Sequence, residues 1–162
     1  MTPASDLQAD RLDPALVEEL RTVARTYASG VDRRDLTLFL SAFADDATLT
    51  VVRHDDPAAP PRTMQGHHQV GRVIERIGIY SHTFHFLGQS HHVRRAAGVS
   101  GEVSCVAHHR WRDEVDLDHV MYIRYADTYR PGRDGRWRIA TRAVGVDWSE
   151  TRVVDVPGRS AR

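Results

Sequence analysis

Hydrophobic residues near the start of the chain recur every three to four positions, the spacing of an amphipathic helix. We expect this helix to begin at Asp13-Pro14, because Asp is a good N-cap and Pro fits the first turn. Ser29-Gly30 is predicted to end or bend it. Its buried side carries Leu16, Leu20, Val23, Ala24, Tyr27 and Ala28, and its outer side is rich in arginine.

Two further helices are predicted before residue 78. A short helix begins at Asp35 and is ended by Ala44-Asp45-Asp46-Ala47, and a longer one spans Gly66 to Ile77. Between them, the β-branched segment from Thr48 to Val52 predicts a short strand. Three prolines between His54 and Arg62 predict a loop after that strand.

The rest of the chain is typical of β-structure, with alternating polar and apolar residues separated by turn signals. The clearest hairpin turn lies between Tyr129 and Trp137, and a polar, extended tail is expected after Trp148. Helices followed by a long meander predict an α+β fold. The predicted strands span residues 80–87, 90–96, 102–112, 119–130 and 136–147.

This pattern divides the chain into a flexible N-terminal arm (1–13), one domain (14–149) and a polar C-terminal tail (150–162). The arm lacks the basic start and apolar run of a signal peptide, and no segment approaches the ~20 apolar residues of a membrane span. The 22 basic and 22 acidic residues balance, so nothing indicates a nucleic-acid or membrane partner. We therefore expect a cytoplasmic protein.

All 22 basic residues are arginine, which excludes a lysine Schiff base, a lysine-bound pyridoxal cofactor and a lysine general base. Cys105 is the only cysteine, so no intrachain disulfide forms and a thiolate zinc site is not expected. The pairs His67-His68 and His91-His92 lack metal-ligand spacing, because adjacent residues on a strand diverge. The sequence predicts neither a metal nor a cofactor.

Most of the ten histidines lie between Ser81 and Trp111, where imidazoles on rigid strands are candidate proton-transfer groups. His85 is expected to share a strand face with Thr83 and Leu87. His108 and His109 must face opposite sides of a regular strand, so only one of them enters a given pocket unless a β-bulge intervenes. The apolar alternation of Val103, Cys105, Ala107 and Trp111 selects His109 for the core side.

Several segments resemble SnoaL-like domains of the nuclear transport factor two superfamily over roughly residues 14–149. They are Tyr27 to Asp35, Phe43 to Ala47, Thr83 to Gly88, Cys105 to His109, Arg124 to Asp127, Gly135 to Ala140 and Asp147-Trp148. The resemblance implies a cone-like α+β barrel, with three N-terminal helices packed in a strongly curved mixed or antiparallel sheet. The open end of such a cone is a pocket. It also implies a homodimer paired through the sheet, with Trp111, Trp137 and Trp148 as core or dimer-face anchors.

Scytalone dehydratase is the member with the most similar local pattern. Its catalytic residues match Asp32, His85 and, by alignment of the segment around Ala107 to Trp111, His108. The alignment thus favours His108 where the apolar alternation favours His109, and we follow the alignment. The dehydratase also uses two tyrosines, at whose positions this chain has Val31 and Arg53.

The resemblance implies a cofactor-independent lyase or isomerase, similar to a dehydratase or polyketide cyclase, acting on a small hydrophobic oxygenated metabolite. His108 would be the general base, Asp32 would orient it, and His85 would donate a proton or hydrogen bond. The alternative is a noncatalytic small-molecule-binding or accessory protein of the same fold. A third possibility is an epoxide hydrolase-like site built from Asp32, Arg110 and Asp127.

Seven arginines of the strand region are expected on solvated outer faces, and one of them is a candidate for binding a substrate carboxylate at the pocket mouth. These arginines are Arg94, Arg95, Arg110, Arg112, Arg124, Arg136 and Arg138.

Overall fold

Three helices and six strands make up the part of the chain that the computed structural model describes, residues 12–96, 98–112 and 116–154. The helices are α1 (Pro14–Arg33), α2 (Leu36–Ser41) and α3 (Gly66–Ile77). The strands are β1 (Phe43–Arg53), β2 (Arg62–Gln65), β3 (His82–Arg95), β4 (Gly98–Arg112), β5 (Asp116–Pro131) and β6 (Trp137–Val153). Nearly all of the predicted arm, and residues 155–162 of the predicted tail, lie outside the described residues.

The strands form one mixed, open sheet in the order β2-β1-β6-β5-β4-β3. β1 runs parallel to β6, and every other neighbouring pair is antiparallel. The helices pack against the concave side of this sheet, and their shared core includes the fully buried Leu20, Phe39, Phe43 and Ile139. This is the predicted cone-like α+β fold, with a sheet that is curved but not closed.

The first helix starts where predicted, since the Asp13 side chain accepts a hydrogen bond from the Ala15 N–H. The predicted end at Ser29-Gly30 is wrong, because α1 continues to Arg33. The glycine serves a different purpose: a Cβ at Gly30 would lie 2.5 Å from the backbone of Phe39. Gly30 therefore lets α2 cross close to α1, and Asp32 belongs to the last turn of α1.

The turn between α1 and α2 depends on Arg34, which adopts a left-handed conformation (φ 55°). Its backbone N–H caps the end of α1, and its guanidinium donates to the carbonyls of Asp32 and Tyr80. Asp35 then caps α2 by accepting from the Leu38 N–H. These contacts hold the end of α1 against the segment that leads into β3.

The sheet differs from the prediction at four places. β1 begins at Phe43, so the exposed Asp45 and Asp46 lie on a strand, where the sequence predicted the end of the second helix. β2 pairs with β1 just after the predicted loop. The predicted strands 80–87 and 90–96 form the single strand β3, which passes an irregularity between Leu87 and Ser90. β6 runs to Val153, into the predicted tail.

A buried ion pair lies within the core between β5 and β6. Arg142 donates to both carboxylate oxygens of Asp127, at 2.8 and 2.6 Å, and both side chains are 0% exposed. The Arg142 guanidinium lies 4.2 Å from the ring centroids of both Tyr27 and Tyr125, as in cation–π contacts. Tyr129 completes the cluster by donating to Asp127 at 2.6 Å.

Among the described residues, no helix is both long enough and apolar enough to cross a membrane.

Candidate active site

Asp32 and His85 meet at the concave side of the sheet, one from the last turn of α1 and the other from β3. His85 Nδ1 lies 2.6 Å from Asp32 Oδ1, and the His85 backbone N–H donates to Asp32 Oδ2 at 2.9 Å. The side chain of His85 is 5% exposed and that of Asp32 is 22% exposed. The carboxylate therefore holds both the ring and the backbone of one residue.

The protonation of this pair follows from the hydrogen bonds. Burial raises the pKa of Asp32, but hydrogen bonds from the His85 ring and backbone outweigh this effect, so the net pKa is below the ordinary value. An ionised carboxylate only accepts hydrogen bonds, so Nδ1 of His85 carries the proton. When the ring is neutral, Nε2 then presents a lone pair, the arrangement that a general base requires. Nε2 makes no hydrogen bond to any described residue.

The apolar alternation gave the correct orientation of the next two histidines. His109 is 5% exposed on the concave side, and its ring packs edge-on against His85 with centroids 5.5 Å apart. The Tyr80 ring covers it, with centroids 4.8 Å apart. Burial, with further repulsion from His85 and His119, lowers the pKa of His109 to about 4. His109 is therefore neutral near pH 7 and has one ring N–H to donate.

The prediction that His108 faces the pocket is wrong. His108 lies on the convex side of β4, where its Nδ1 is 2.8 Å from Asp118 Oδ2. The β-bulge that would have reconciled the two arguments is absent at these histidines, because the pairing of β4 with β3 and β5 is regular from Cys105 to Arg110. The histidine that points inward is therefore His109, one residue after the histidine that the alignment selected.

The register of the sheet shows which side chains share the concave side with the pair. One row across the strands contains Thr83, His109, His119 and Thr151, and the neighbouring row contains His85, Ala107, Met121 and Ser149. As predicted, Thr83, His85 and Leu87 alternate with the exposed Phe84 and Phe86. The site thus has an apolar floor of Ala107 and Met121 and a rim of polar groups.

A second polar group lies at the β1–β6 side of the rim. Arg53 donates to both oxygens of Asp55, at 2.7 and 2.8 Å, and Ser149 donates to Asp55 Oδ2 at 2.6 Å. The hydrogen bond from Arg53, together with the one from Ser149, lowers the pKa of Asp55 to about 2. This group is therefore a fixed arrangement of one cation, one anion and one hydroxyl.

Two other expectations concern groups outside this site. The proposed cluster of Asp32, Arg110 and Asp127 does not form, because Asp127 is buried in its pair with Arg142 and Arg110 lies on the convex side of β4. Of the histidine pairs, His67 lies 3.2 Å from the Phe43 carbonyl and His92 packs on Tyr129. No group of three His, Cys, Asp or Glu side chains that could hold a metal ion occurs in the described ranges.

A groove of about 750 Å³ lies away from the Asp32–His85 pair. Its lining carries charges of both signs, with Asp45, Asp46, Arg130 and Arg138 among them. Arg130 pairs with Asp46 across this groove. This groove does not include Asp32, His85 or His109, so it is separate from the concave site that these residues form.

The family follows from a comparison with known domains. The family model of the SnoaL-like domain matches residues 15–143, which is most of the chain, and the protein belongs to this family. No curated protein sequence matches the chain.

Solved structures share the fold at low sequence identity. A putative scytalone dehydratase from Novosphingobium aromaticivorans is 18% identical with a TM-score of 0.72, covering 90% of this chain and 95% of its own. A hexachlorocyclohexane dehydrochlorinase, LinA-type3 from Novosphingobium barchaimii, is 17% identical with a TM-score of 0.73, covering 88% and 95%. ActVI-ORFA from Streptomyces coelicolor is 15% identical with a TM-score of 0.63, covering 84% and 98%. At such identities these likenesses establish the fold alone.

Proposed function

We propose that the protein is a cofactor-independent lyase or isomerase that removes a proton next to a carbonyl group of a small hydrophobic substrate. The observation that carries this proposal is the pair of hydrogen bonds from His85 to Asp32, at 2.6 and 2.9 Å. A carboxylate on Nδ1 directs the lone pair of Nε2 outward and stabilises the imidazolium that forms when the ring takes a proton. His85 is thus the general base, in place of His108.

The reaction begins when Nε2 of His85 takes the proton on the carbon next to the carbonyl. The C–H bonding electrons form a carbon–carbon double bond, and the carbonyl electrons move onto oxygen to give an enolate. His109, neutral at pH 7, donates a hydrogen bond to that oxygen. When the enolate re-forms the carbonyl, a hydroxyl on the next carbon leaves with the proton held by His85, and water is released. In an isomerase, the same proton returns to another carbon.

The surroundings of His85 support this role. The ring lies beside Ala107 and His109, which are both buried, and Tyr27 packs edge-on against it from below. Low water content strengthens the interaction of the imidazolium with Asp32 and of the enolate with His109. The names of two solved relatives, a putative scytalone dehydratase and a dehydrochlorinase, describe eliminations, which this chemistry would serve.

Exchange of substrate hydrogens with D₂O tests the proposal without knowledge of the leaving group. Scytalone and simpler hydroxylated 1-tetralones would be incubated with the enzyme in D₂O, and exchange at the carbon next to the carbonyl would be followed by NMR. We expect exchange or elimination with the wild type and a loss of about 10²-fold or more in Asp32→Asn. An asparagine can donate to Nδ1, which would place the ring proton on Nε2 and remove the base.

The matched control is Asp45→Asn, which changes the same functional group on a fully exposed side chain. This variant should retain wild-type exchange. Exchange that is unchanged in Asp32→Asn would overturn the assignment of the base.

A noncatalytic binding protein is the second candidate function. It is favoured by one observation, the presence of Val31 and Arg53 at the two positions where scytalone dehydratase has tyrosines. In this case the tetralones would bind with micromolar or millimolar affinity, and neither exchange nor elimination would exceed the rate in buffer. The same NMR samples distinguish the two functions.

We further propose that the protein is a cytoplasmic homodimer paired through the convex side of its sheet. A row of large side chains crosses four strands there, in the register Phe86, Val106, Tyr122 and Trp148. Phe84, Phe86 and Trp148 are 54–62% exposed, and the Tyr122 and Trp148 rings stack at 4.4 Å. Together, Phe84 and this row form the convex apolar patch, and a second copy would bury it.

A further inference from the structure

The guanidinium of Arg53, on the concave side of the sheet, has a donor without a partner among the described residues. Its Nε and Nη2 atoms donate to Asp55, and Nη2 also lies 3.3 Å from Ser149 Oγ. Nη1 makes no hydrogen bond to any described residue, and the side chain is 35% exposed. An arginine is always charged at physiological pH, so its unused N–H groups attract an oxygen acceptor.

The position of Arg53 relative to the Asp32–His85 pair follows from the sheet register. The row that begins at His85 crosses Ala107 and Met121 and ends at Ser149, which contacts Arg53. Three strand spacings separate the ends of this row, about 14 Å along the sheet and less across a curved one. A molecule with one or two fused rings therefore spans the distance between the base and the arginine.

The residues between the two ends are electrostatic neighbours. Burial lowers the pKa of His119, and the nearby charge of Arg53 lowers it further. Tyr80, which covers His109, interacts with the Arg53 charge as well. His109 and His119 are directly paired in the sheet. The Asp32–His85 pair and Arg53 therefore lie at opposite ends of the same concave side of the sheet.

We propose that Arg53, held in place by Asp55 and Ser149, binds a carboxylate of the substrate at the end remote from His85. The inference rests on the proposed function, because it assigns substrate class within the same site. Asp55 is engaged in holding the arginine, since Oδ1 accepts from Arg53 and Oδ2 accepts from both Arg53 and Ser149. Arg53 Nη1 is thus the available donor, and an anionic oxygen is its strongest partner.

A salt bridge that only stabilises the fold is the competing explanation for Arg53. A bidentate pair of Arg and Asp satisfies that purpose without further partners. The additional hydroxyl of Ser149, from the far end of β6, fixes the pair at the rim of the mouth. The competing explanation gives no preference among ligands, whereas our proposal predicts preference for an acid.

The test compares 2-naphthoate with 2-naphthamide, which have the same ring system and differ in charge. Dissociation constants would be measured by NMR titration of the full chain at pH 7 and constant ionic strength. We expect the wild type to bind the acid about tenfold more tightly than the amide, as for a hydrogen bond to a charged group. Arg53→Met should remove this preference.

Arg53→Met also leaves Asp55 without its partner, and the exposed carboxylate would repel the acid by itself. The double variant Arg53→Met/Asp55→Asn removes both charges and isolates the contribution of the arginine. The preference for the acid should still be absent in the double variant. Its return there, or equal binding of acid and amide by the wild type, would overturn the proposal.

Arg152→Met is the matched control. Arg152 is paired with Glu150 on the same strand as Ser149, and its register partner Asp118 lies on the convex side. This variant should keep the full preference. Circular dichroism and a thermal melt would show that each variant is folded before its titration.

Failure of the two proposals is distinguishable. Asp32→Asn should retain the acid preference while it loses proton exchange. A wild type that prefers the acid but catalyses no exchange would keep the arginine assignment and remove the enzymatic one. Exchange that depends on Asp32, in a protein that does not prefer the acid, would keep the enzymatic assignment and remove the arginine one.

Discussion

His109 and His119 lie directly opposite each other on neighbouring antiparallel strands, and both face the concave side of the sheet. Burial is the main reason that the pKa of each histidine is lowered. Repulsion between positive charges adds to this effect, because His119 lowers the pKa of His109 and Arg53 lowers that of His119. The folded protein therefore favours the neutral forms of both rings, which makes its stability dependent on pH.

Stability should fall as the pH drops below about 6.5. In this range the unfolded chain takes up a proton at residue 109, whereas folded His109 does so only near pH 4. The resulting loss is about 3 kcal/mol by pH 4 for this residue. Asp32 affects stability in a different pH range. Its lowered pKa stabilises the folded protein above about pH 4, and this contribution is lost only as the pH falls below that value. Urea unfolding at pH 7, 5.5 and 4.5 measures the slope.

His109→Gln should flatten this dependence, and His91→Gln, on an exposed side chain, should leave it unchanged. A wild type with equal free energy of unfolding at pH 7 and 4.5 would contradict the explanation.

Single substitutions separate the two faces of β4 by activity. We expect His85→Gln and His109→Gln to lower kcat for proton exchange by about 10²-fold, since one removes the base and the other an enolate donor. His108→Gln should retain near wild-type kcat, because His108 pairs with Asp118 on the convex side. The measurement is the initial rate of exchange in D₂O. If His108→Gln were as defective as His85→Gln, the inward assignment of His109 would fail.

The buried pair of Arg142 and Asp127 should couple strongly in unfolding experiments. Arg142→Met leaves a buried carboxylate without its cation, which costs about 3–5 kcal/mol. Adding Asp127→Asn should recover a large part of that loss. The exposed pair of Arg138 and Asp134 is the control, and Arg138→Met should cost less than about 1 kcal/mol. Urea unfolding of the wild type, Arg142→Met, Asp127→Asn and the double variant gives the coupling energy, and additive losses would contradict it.

The convex apolar patch should hold two copies of the chain together. Trp148→Arg places a charge at its centre, where a partner would otherwise cover the stacked Tyr122 and Trp148 rings. We expect a dimer for the wild type and a monomer for this variant by sedimentation velocity at micromolar concentration. Arg25→Met, on the exposed side of α1 and so on the opposite side of the sheet, serves as the control and should remain dimeric. A wild type that sediments as a monomer would reject the interface.

Local rules predicted the elements that they govern directly. The bounds of α3, the cap at Asp13 and the hairpin turn after Tyr129 follow from helix periodicity, capping and turn chemistry. The face of His109 also follows from apolar alternation, and the error came from preferring an aligned segment to that alternation. A shift of one residue in an alignment reverses the face of a strand side chain.

Contacts between distant segments explain what sequence could not predict. Gly30 looked like a helix end, and only the approach of Phe39 shows why a glycine is needed within the helix. The sequence identified Arg53 only as a residue in place of a tyrosine. Its contact with Ser149 could not be predicted, because the two residues are 96 positions apart in the chain. Arg142 gave no signal at all, since its partners come from α1 and β5.

The parallel pairing of β1 with β6 has a consequence for how the molecule is made. Leu49 is aligned with Arg142, so one side of β1 has no strand beside it until almost the whole domain has left the ribosome. Closing such distant contacts slows folding to the millisecond-to-second range typical of sheet-rich domains. During synthesis, the unpaired edge of β1 is open to other chains, and the exposed Asp45 and Asp46 place negative charge at its beginning, where it discourages their association.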